Sequence, residues 1–518
     1  MTDQSRTARL PCRFRHPRRL PWLLCVIGAL LTTGTAGAQI PDEVPFLVGE
    51  HTTELILAKA SGALFASGSR ADQSRATQLA IGPGPDPALA YLYLSSNVHG
   101  VRRLEYTPQT GQLSNLVDLF PSWRGNGVAV RRNSAGRAEL YAHASYPSDN
   151  APERTMERVF RVVDEDGDGV FGSSGDRIAA IVQGIPSGRH SLNQIQIHGR
   201  TLYTGYGVRT FNGAVQGDPL GESAFGGTIL MIDDLDAVPT VDDAAGFPAY
   251  RAHPTEAEFQ AVVTGAAAGS EAPFTSTAPD KLRIHSAGAR NPFGITIDHD
   301  GDLWLSVNFH RVNNSAYDRR RTGDDADQDG FDGPSDDDVH DQLFRARPRG
   351  DYGSRNGNWQ GRGDVQAAGF FAGLLDPTLI IPSVTFDNYD HGGHDRDHSH
   401  PAFNRLHDPA QPVELGPHSA VTGLAFAPLL FPVRYYDHVF VTRWNGQFGL
   451  LDGLDYRDLV LVDATLGDVE RVAAGFNAPI DIVHDGYGSF LVVSYFGSIW
   501  RLTPRMPRCH LCGSPRRQ

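Results

Sequence analysis

The sequence predicts an all-β fold, a six-bladed β-propeller. Three observations predict it. Short runs of β-branched, aromatic and aliphatic residues recur as paired strands six times along the chain. Long amphipathic helical patterns are hard to find. The Gly, Pro and Asp residues that separate the runs come in short, regularly interspersed stretches, as turns do, with nothing resembling an interdomain linker. A propeller also absorbs the length, because it grows by adding blades, whereas the chain of 518 residues would otherwise mean two or three domains. Two stacked β-sandwiches are the alternative architecture.

The six pairs, in order, begin with Ala90 to Ser96 followed by Gly100 to Tyr106, and Gly136 to Ala142 followed by Arg158 to Val163. Next come Gly199 to Thr204 with Gly227 to Ile232, and Asp300 to Ser306 with Asp341 to Phe344. The last two are Asp437 to Thr442 with Gly449 to Leu451, and Gly486 to Val493 with Gly497 to Leu502. Each reads as the inner strands of one blade, where the hydrophobic demand is strongest. Uneven spacing places insertions in loops, and Phe46 to Leu57 is expected to supply the strand that closes the ring.

The ends differ from this body. Arg6, Arg9, Arg13, Arg15, Arg18 and Arg19 precede the apolar run Leu20 to Leu31, and small residues end at Ala36-Gly37-Ala38. That is the three-part pattern of a secretory signal peptide, with cleavage expected after Ala38. Roughly twelve apolar residues are too few for a ~30 Å hydrocarbon core. The expected organisation is therefore a signal peptide at 1–38, a propeller at 39–505 and a disordered Arg/Cys tail at 506–518. The location is periplasmic or secreted, with no membrane insertion after cleavage. Loss of six Arg and one Asp takes the net charge from −14 to −19. So acidic a chain is a poor partner for nucleic acid. Cys509 and Cys512 form a lone CxxC in the tail, with no His directly after it for haem attachment.

The segment Gly288-Ala-Arg-Asn-Pro-Phe-Gly-Ile-Thr-Ile-Asp298 with Gly301-Asp-Leu-Trp304 resembles the "G-x-R-N-P-x-G … G-x-L-W" signature of the glucose/sorbosone dehydrogenase family, soluble quinoprotein propellers. Further similarities follow in the family's order. They are His190 before Leu202 to Gly205, Gly226 to Leu230, Asp341 to Leu343, Asp351 to Gly353, His418 to Leu424 with Phe431-Pro432, and Pro479 to Ile482 with Asp485-Gly486. The resemblance covers about residues 185–505, and its specificity lies in the order of motifs that are weak singly.

The resemblance implies a quinoprotein glucose dehydrogenase-like six-bladed propeller. It would bind pyrroloquinoline quinone (PQQ) in its central opening with a Ca²⁺ ion, oxidise a small sugar or related alcohol, and pass electrons to an external acceptor. It assigns His190 as general base, and Arg290 and Asn291 as the pair facing the quinone. Neutral imidazole accepts a proton near pH 7, a fixed Arg holds developing negative charge, and the cofactor carries the hydride chemistry. Two departures stand out. The family's glucose enzyme sets a late lysine against the cofactor carboxylates, and here lysine occurs only at Lys59 and Lys281. Arg443, beside Trp444, is the expected replacement cation. Asn308-Phe309 also stands where the family offers backbone oxygens to Ca²⁺.

A separate signal comes from acidic loops. Asp325, Asp327 and Asp329, then Gly330, with the Phe331 carbonyl and Asp336 at the twelfth position, match a Ca²⁺ loop. Asp164, Asp166 and Asp168 begin the same way, but Asp176 falls one position late. Either ion would order a loop and take no part in catalysis. The His391 to His400 stretch is dense in metal-capable side chains but matches no zinc spacing. Three functions follow for testing: a PQQ-dependent sugar dehydrogenase-like oxidoreductase, a catalytically inactive Ca²⁺-stabilised propeller that binds carbohydrate or protein, and a Ca²⁺-dependent lactonase-like hydrolase.

Overall fold

Alternating turn chemistry and apolar runs give six sheets, antiparallel but for one short outer pair, arranged as a six-bladed propeller. The computed structural model describes residues 44–60, 75–84, 86, 88–148, 151–187, 190–207, 227–238, 250–251, 275–276, 282–287, 289, 291–308, 340–346, 413–417, 419–428, 431–444, 456–465 and 467–505. The expected signal segment and the Arg/Cys tail lie outside these residues.

Blade 1 contains β3 (Ala76–Pro83), β4 (Ala90–Ser96), β5 (Gly100–Thr107) and β6 (Gln112–Phe120). Blade 2 contains β7 (Val128–Arg132), β8 (Ala138–Ser148), β9 (Ala151–Val163) and β10 (Arg177–Ser187). Two short strands, β14 (Tyr250–Arg251) and β15 (Thr275–Ser276), extend blade 2 outward, although they arise from an insertion in blade 3. Blade 3 is β11 (Leu192–His198), β12 (Thr201–Tyr206), β13 (Thr228–Ile232) and β16 (Leu282–Ala287). Blade 4 is β17 (Pro292–Ile297), β18 (Leu303–Val307), β19 (His340–Ala346) and β20 (Val413–Pro417). Blade 5 is β21 (Val421–Phe426), β22 (His438–Arg443), β23 (Asp458–Asp463) and β24 (Val469–Ala474). Blade 6 is β25 (Pro479–His484), β26 (Phe490–Ser494) and β27 (Ile499–Pro504), completed by β2 (Leu55–Lys59) from the start of the chain.

That last pairing closes the ring with Leu55–Lys59, which overlaps the expected Phe46 to Leu57 only over its last three residues. Just before it, β1 (Phe46–Leu47) adds to the outer edge of blade 5 and α1 (His51–Glu54) carries the chain across to blade 6. His51 is buried at this clasp, with Nδ1 3.0 Å from the Tyr435 hydroxyl and Nε2 2.9 Å from Glu470.

The innermost strands are β3, β7, β11, β17, β21 and β25, each touching the next around the axis. The sequence-derived pairs are therefore not the inner strands but the second and third strands of each blade. In the fifth pair only β22 is as expected. Its partner is β23, and Gly449 to Leu451 lies outside the described residues. The physical reason is visible in burial. The second strands β4, β18 and β26 are buried at every position, because blades stack face to face and cover both sides of them. Continuous apolar runs result, and these dominate the sequence pattern.

Consequently the core lies between blades. Tyr91, Tyr93 and Phe120 of blade 1 pack on Leu140, Phe160 and Val162 of blade 2. Trp123 stacks between Phe120 and Phe160 with centroid distances of 4.0 and 4.2 Å. Phe440 and Leu461 of blade 5 meet Phe490 and Val492 of blade 6.

Five inner strands shift register within their first few residues, between Ala76/Gln78, Leu192/Ile195, Pro292/Ile295, Val421/Leu424 and Pro479/Asp481. Such bulges bend a strand and re-aim its side chains. Here they serve contacts around the axis. Gln78 Nε2 donates to the Ile195 carbonyl at 2.7 Å, while its Oε1 accepts from Val128 N and Ile195 N. Gln194 Nε2 reaches Asp481 Oδ1 at 2.9 Å, and Leu79 N donates to Asp481 Oδ2 at 2.8 Å. Between blades 4 and 5 the backbones touch directly. A Cβ on Gly294 would lie 1.7 Å from the Thr422 carbonyl oxygen, so only glycine allows this approach.

Candidate functional site

The starts of the inner strands all lie at one end of the ring, and the second strands end there. A recurring hydrogen bond ties the two. Gly207 N donates to Ser191 O (3.2 Å), Asn308 N to Asn291 O (3.0 Å), Trp444 N to Ala420 O (2.9 Å) and Tyr495 N to Ala478 O (2.8 Å). Blades 3 to 6 thus present Gly207, Asn308, Trp444 and Tyr495 at equivalent positions around one mouth. Trp444 and Tyr495 stack on each other, with centroids 5.3 Å apart and planes inclined by 23°.

Third-strand carboxylates hold these strand starts in place. Glu157 Oε2 accepts from Leu192 N at 2.5 Å, and Asp341 Oδ2 accepts from Ala420 N at 2.6 Å. Both carboxylates are buried. The Asp341 motif in the sequence therefore corresponds to a blade-to-blade latch.

His190 and Asn291 meet at this mouth. Each comes within 3 Å of the point a Cβ on Gly207 would occupy: His190 Cβ at 2.5 Å and Asn291 Oδ1 at 2.9 Å. The absence of a side chain at 207 is what lets them converge. Asn193, buried in β11, donates from Nδ2 to Asn291 Oδ1 at 3.0 Å and to the Pro292 carbonyl at 2.9 Å. Chemically the mouth combines an imidazole, several amides and an aromatic pair. It offers a proton acceptor, hydrogen-bond donors for carbonyl oxygens, and apolar ring surface.

Arg443 sits one residue before Trp444 but turns into blade 5. Its Nε and Nη2 donate to the two Asp458 carboxylate oxygens at 2.8 and 2.6 Å, and Nη1 donates to the Leu415 carbonyl at 2.9 Å. Its guanidinium also lies 4.6 Å from the Tyr456 ring centroid. Asp458 accepts a further bond from Arg471 Nε at 2.7 Å. Burial raises the Asp458 pKa, and the two guanidinium groups oppose that rise. Arg290 falls outside the described residues.

The Asp164 loop is elsewhere. Glu157, which caps β11 at the mouth, lies six residues before the end of β9, or about 20 Å along a strand. The acidic loop follows that far end. One carboxylate oxygen from each of Asp164, Asp166 and Asp168 lies within 4.8 Å of the others. Asp164 accepts from Gly167 N and Gly169 N, and the Asp168 backbone N–H lowers the Asp166 pKa. Asp176 instead accepts from Gly172 N and Ser173 N within its own loop. Asp325, Asp327, Asp329, Phe331 and Asp336 lie outside the described residues, as do the His391 to His400 stretch, Cys509 and Cys512.

No protein-family model and no curated protein sequence matches the chain. Solved structures do. The calcium structure of Trichoderma reesei Carbohydrate-Active Enzymes Family AA12 is similar over 91% of this chain and 100% of that one, at 13% identity and a TM-score of 0.52. This chain has that fold. The iodide structure of Trichoderma reesei Carbohydrate-Active Enzymes Family AA12 gives 12% identity over 91% of this chain and 100% of that one, with a TM-score of 0.51. The holo form of the pyranose dehydrogenase PQQ domain from Coprinopsis cinerea is 11% identical over 90% of this chain and 99% of that one, with a TM-score of 0.49. The AA12 likeness establishes the propeller that the motif order implied, and it covers the whole ring.

Two features of the mouth were not picked out from the sequence. Asn193 had no signal of its own, since its partner Asn291 is 98 residues away in the chain. Tyr495 follows an apolar strand and reads as core. Only its equivalence to Trp444 across the blade repeat identifies it as a mouth residue.

Proposed function

We propose that this chain is an exported oxidoreductase that oxidises a sugar or related alcohol, with PQQ as hydride acceptor and His190 as general base. The observation that carries the reading is the convergence of His190 and Asn291 on Gly207 at the propeller mouth. The ordered motifs around them and the fold shared with a carbohydrate-active enzyme support it.

The residues fit a bound quinone at the imidazole and amide side of the mouth. Asn291 would hold a quinone oxygen, and the reading assigns Arg290 to its negative charge. Arg443 does not fit the cofactor carboxylates, because Asp458 and Leu415 already engage its guanidinium. When bound, PQQ supplies the hydride-accepting carbonyl. The chain's own residues do the rest. His190 takes the proton of the substrate hydroxyl, as an imidazole does near neutral pH. The Asn291 amide orients and polarises the acceptor oxygen. Trp444 and Tyr495 close the far side of the mouth with apolar surface. An external acceptor would take the electrons onward. Calcium belongs to the same reading: the Asp164 and Asp325 loops would hold it and it would stabilise the fold. Cleavage after Ala38 delivers the protein to the periplasm or the exterior.

The test is reconstitution of the purified protein with PQQ and Ca²⁺, followed by dye reduction across a sugar panel. Wild type is expected to take up PQQ and reduce dye, and His190→Gln to lose ~10²–10⁴-fold in rate while retaining PQQ. Absence of cofactor uptake by absorbance and by calorimetry would overturn the reading. The engagement of Arg443 favours a second one, a Ca²⁺-stabilised binding propeller without redox chemistry. Retention on a glycan or protein array with no PQQ uptake would select it.

A further inference from the structure

We infer that Asn193 is a positioning residue that fixes the Asn291 amide with its NH₂ toward the bound ligand. This rests on the reading of the mouth as a cofactor site, but the geometry that carries it does not. The Pro292 carbonyl is purely an acceptor, so the Asn193 atom 2.9 Å from it must be nitrogen. That nitrogen has two hydrogens, and the second faces Asn291 at 3.0 Å. The Asn291 atom receiving it must therefore be oxygen. A side-chain amide whose orientation is ordinarily a matter of choice is thus set by a chain of two bonds that starts at a proline carbonyl.

The consequence falls on the other half of the Asn291 amide. Its oxygen is turned to Asn193 and Gly207, so its NH₂ is directed away from both. Among the described residues no group accepts from that NH₂. Asn291 is thereby a donor to whatever occupies the mouth, and an acceptor is what a quinone or sugar oxygen presents. Asn193 is itself buried, at 2% exposure, in the bulged start of β11. Its backbone is held by that bulge and by the neighbouring Leu192 N–H on Glu157. A rigid side chain in blade 3 thus aims a donor in blade 4 without touching the ligand.

Asn193→Asp reverses the arrangement at constant size. When ionised, the introduced carboxylate sets two acceptors against Asn291 Oδ1 and the Pro292 carbonyl. The Asn291 amide turns to donate to it, leaving oxygen toward the ligand. Selective ¹⁵N-asparagine labelling reads this without any ligand, with side-chain pairs assigned by their loss in Asn193→Asp and Asn291→Asp. In wild type the Asn193 NH₂ should exchange slowly with solvent and the Asn291 NH₂ rapidly. In Asn193→Asp at pH 8 the Asn291 NH₂ should become protected. A protected Asn291 NH₂ in wild type, or no change in the variant, overturns the inference.

The second arm is PQQ affinity between pH 5 and 8. The variant should lose at least ~10-fold in affinity as its new carboxyl ionises, with a thermal midpoint that shows it folded. The ionisable side chains of His190 and Glu157 stand at the same strand starts, so wild type measured in parallel removes their contribution. Equal pH profiles with intact PQQ binding refute the positioning role. No PQQ binding by wild type refutes the cofactor reading instead, and the exchange experiment still decides the orientation.

Discussion

Replacing Asp481 with Asn should make the protein's pH–stability profile flatter, by an amount the structure allows to be worked out. Asp481 is buried on β25 beside the axis, and its carboxylate accepts from Leu79 N at 2.8 Å and Gln194 Nε2 at 2.9 Å. Burial pushes its pKa up to about 7 from 3.8, with the Leu79, Ile482 and Gln194 hydrogen bonds opposing that rise. The folded protein therefore keeps a proton that the unfolded chain releases above about pH 4. The stability this group contributes is full below pH 3.8 and is lost as pH rises through 7. About three pH units at about 1.4 kcal/mol each amount to ~4 kcal/mol. With an unfolding entropy of ~2 cal/mol/K per residue over ~450 residues, that is ~4 °C in Tm. Asparagine keeps an acceptor for Leu79 N but presents NH₂ to Gln194, a cost that does not change with pH. The quantity to measure is the Tm of Asp481→Asn minus that of wild type, at one scan rate from pH 4 to 8. It should move in favour of the variant by ~4 °C between pH 4 and 7 and then level off. A constant difference across that range would mean that the folded protein holds Asp481 ionised, and the reasoning fails.

Two further outcomes follow from the loops and from blade 5. Calcium removal with EDTA should lower Tm, and Asp164→Asn, Asp325→Asn and Asp327→Asn should each reproduce part of that fall. Differential scanning calorimetry with and without chelator checks this, and unchanged curves in every case remove calcium from those loops. Asp458→Ala leaves the Arg443 guanidinium buried without its bidentate partner and deprives Arg471 of an acceptor. Breaking such a pair costs ~3–5 kcal/mol, or about 3–5 °C by the same entropy scale. A fall in Tm of less than about 1 °C would show that the pair is not buried as described.

The fold was legible because of how blades pack, and its legibility grades with distance from the axis. Second strands such as β26, Phe490–Ser494, are covered by neighbouring blades on both faces and must be apolar throughout. Third strands are covered less evenly, as the mixed burial of β5 and β27 shows. The outer strand β6, Gln112–Phe120, exposes most of its length and carries mixed polar residues. Such a segment resembles a loop as much as a strand, so no outer strand was read except the one that closes the ring. The added strands β14 and β15 are two residues each, below any periodicity signal.

The inner strands failed for a different reason, and it is the one that matters for function. A strand facing a central opening trades apolar alternation for Gln78, Gln194, Gly294, Gly423 and Asp481, and its bulges interrupt the period-two pattern at those very residues. The bulges are what turn side chains toward the axis and the mouth, so the residues that build the site are those whose local pattern is least strand-like. Motif order singled out His190 and Asn291, which converge on Gly207, because motifs register residue identity and ignore periodicity. It was blind to Asn193, which acts only through a contact between two blades. Arg443 shows the complementary failure. Its place beside Trp444 suggested a cation for the mouth, but sequence adjacency in a strand alternates faces. The neighbour of a mouth residue points into the blade, where Asp458 was waiting 15 residues later in the chain.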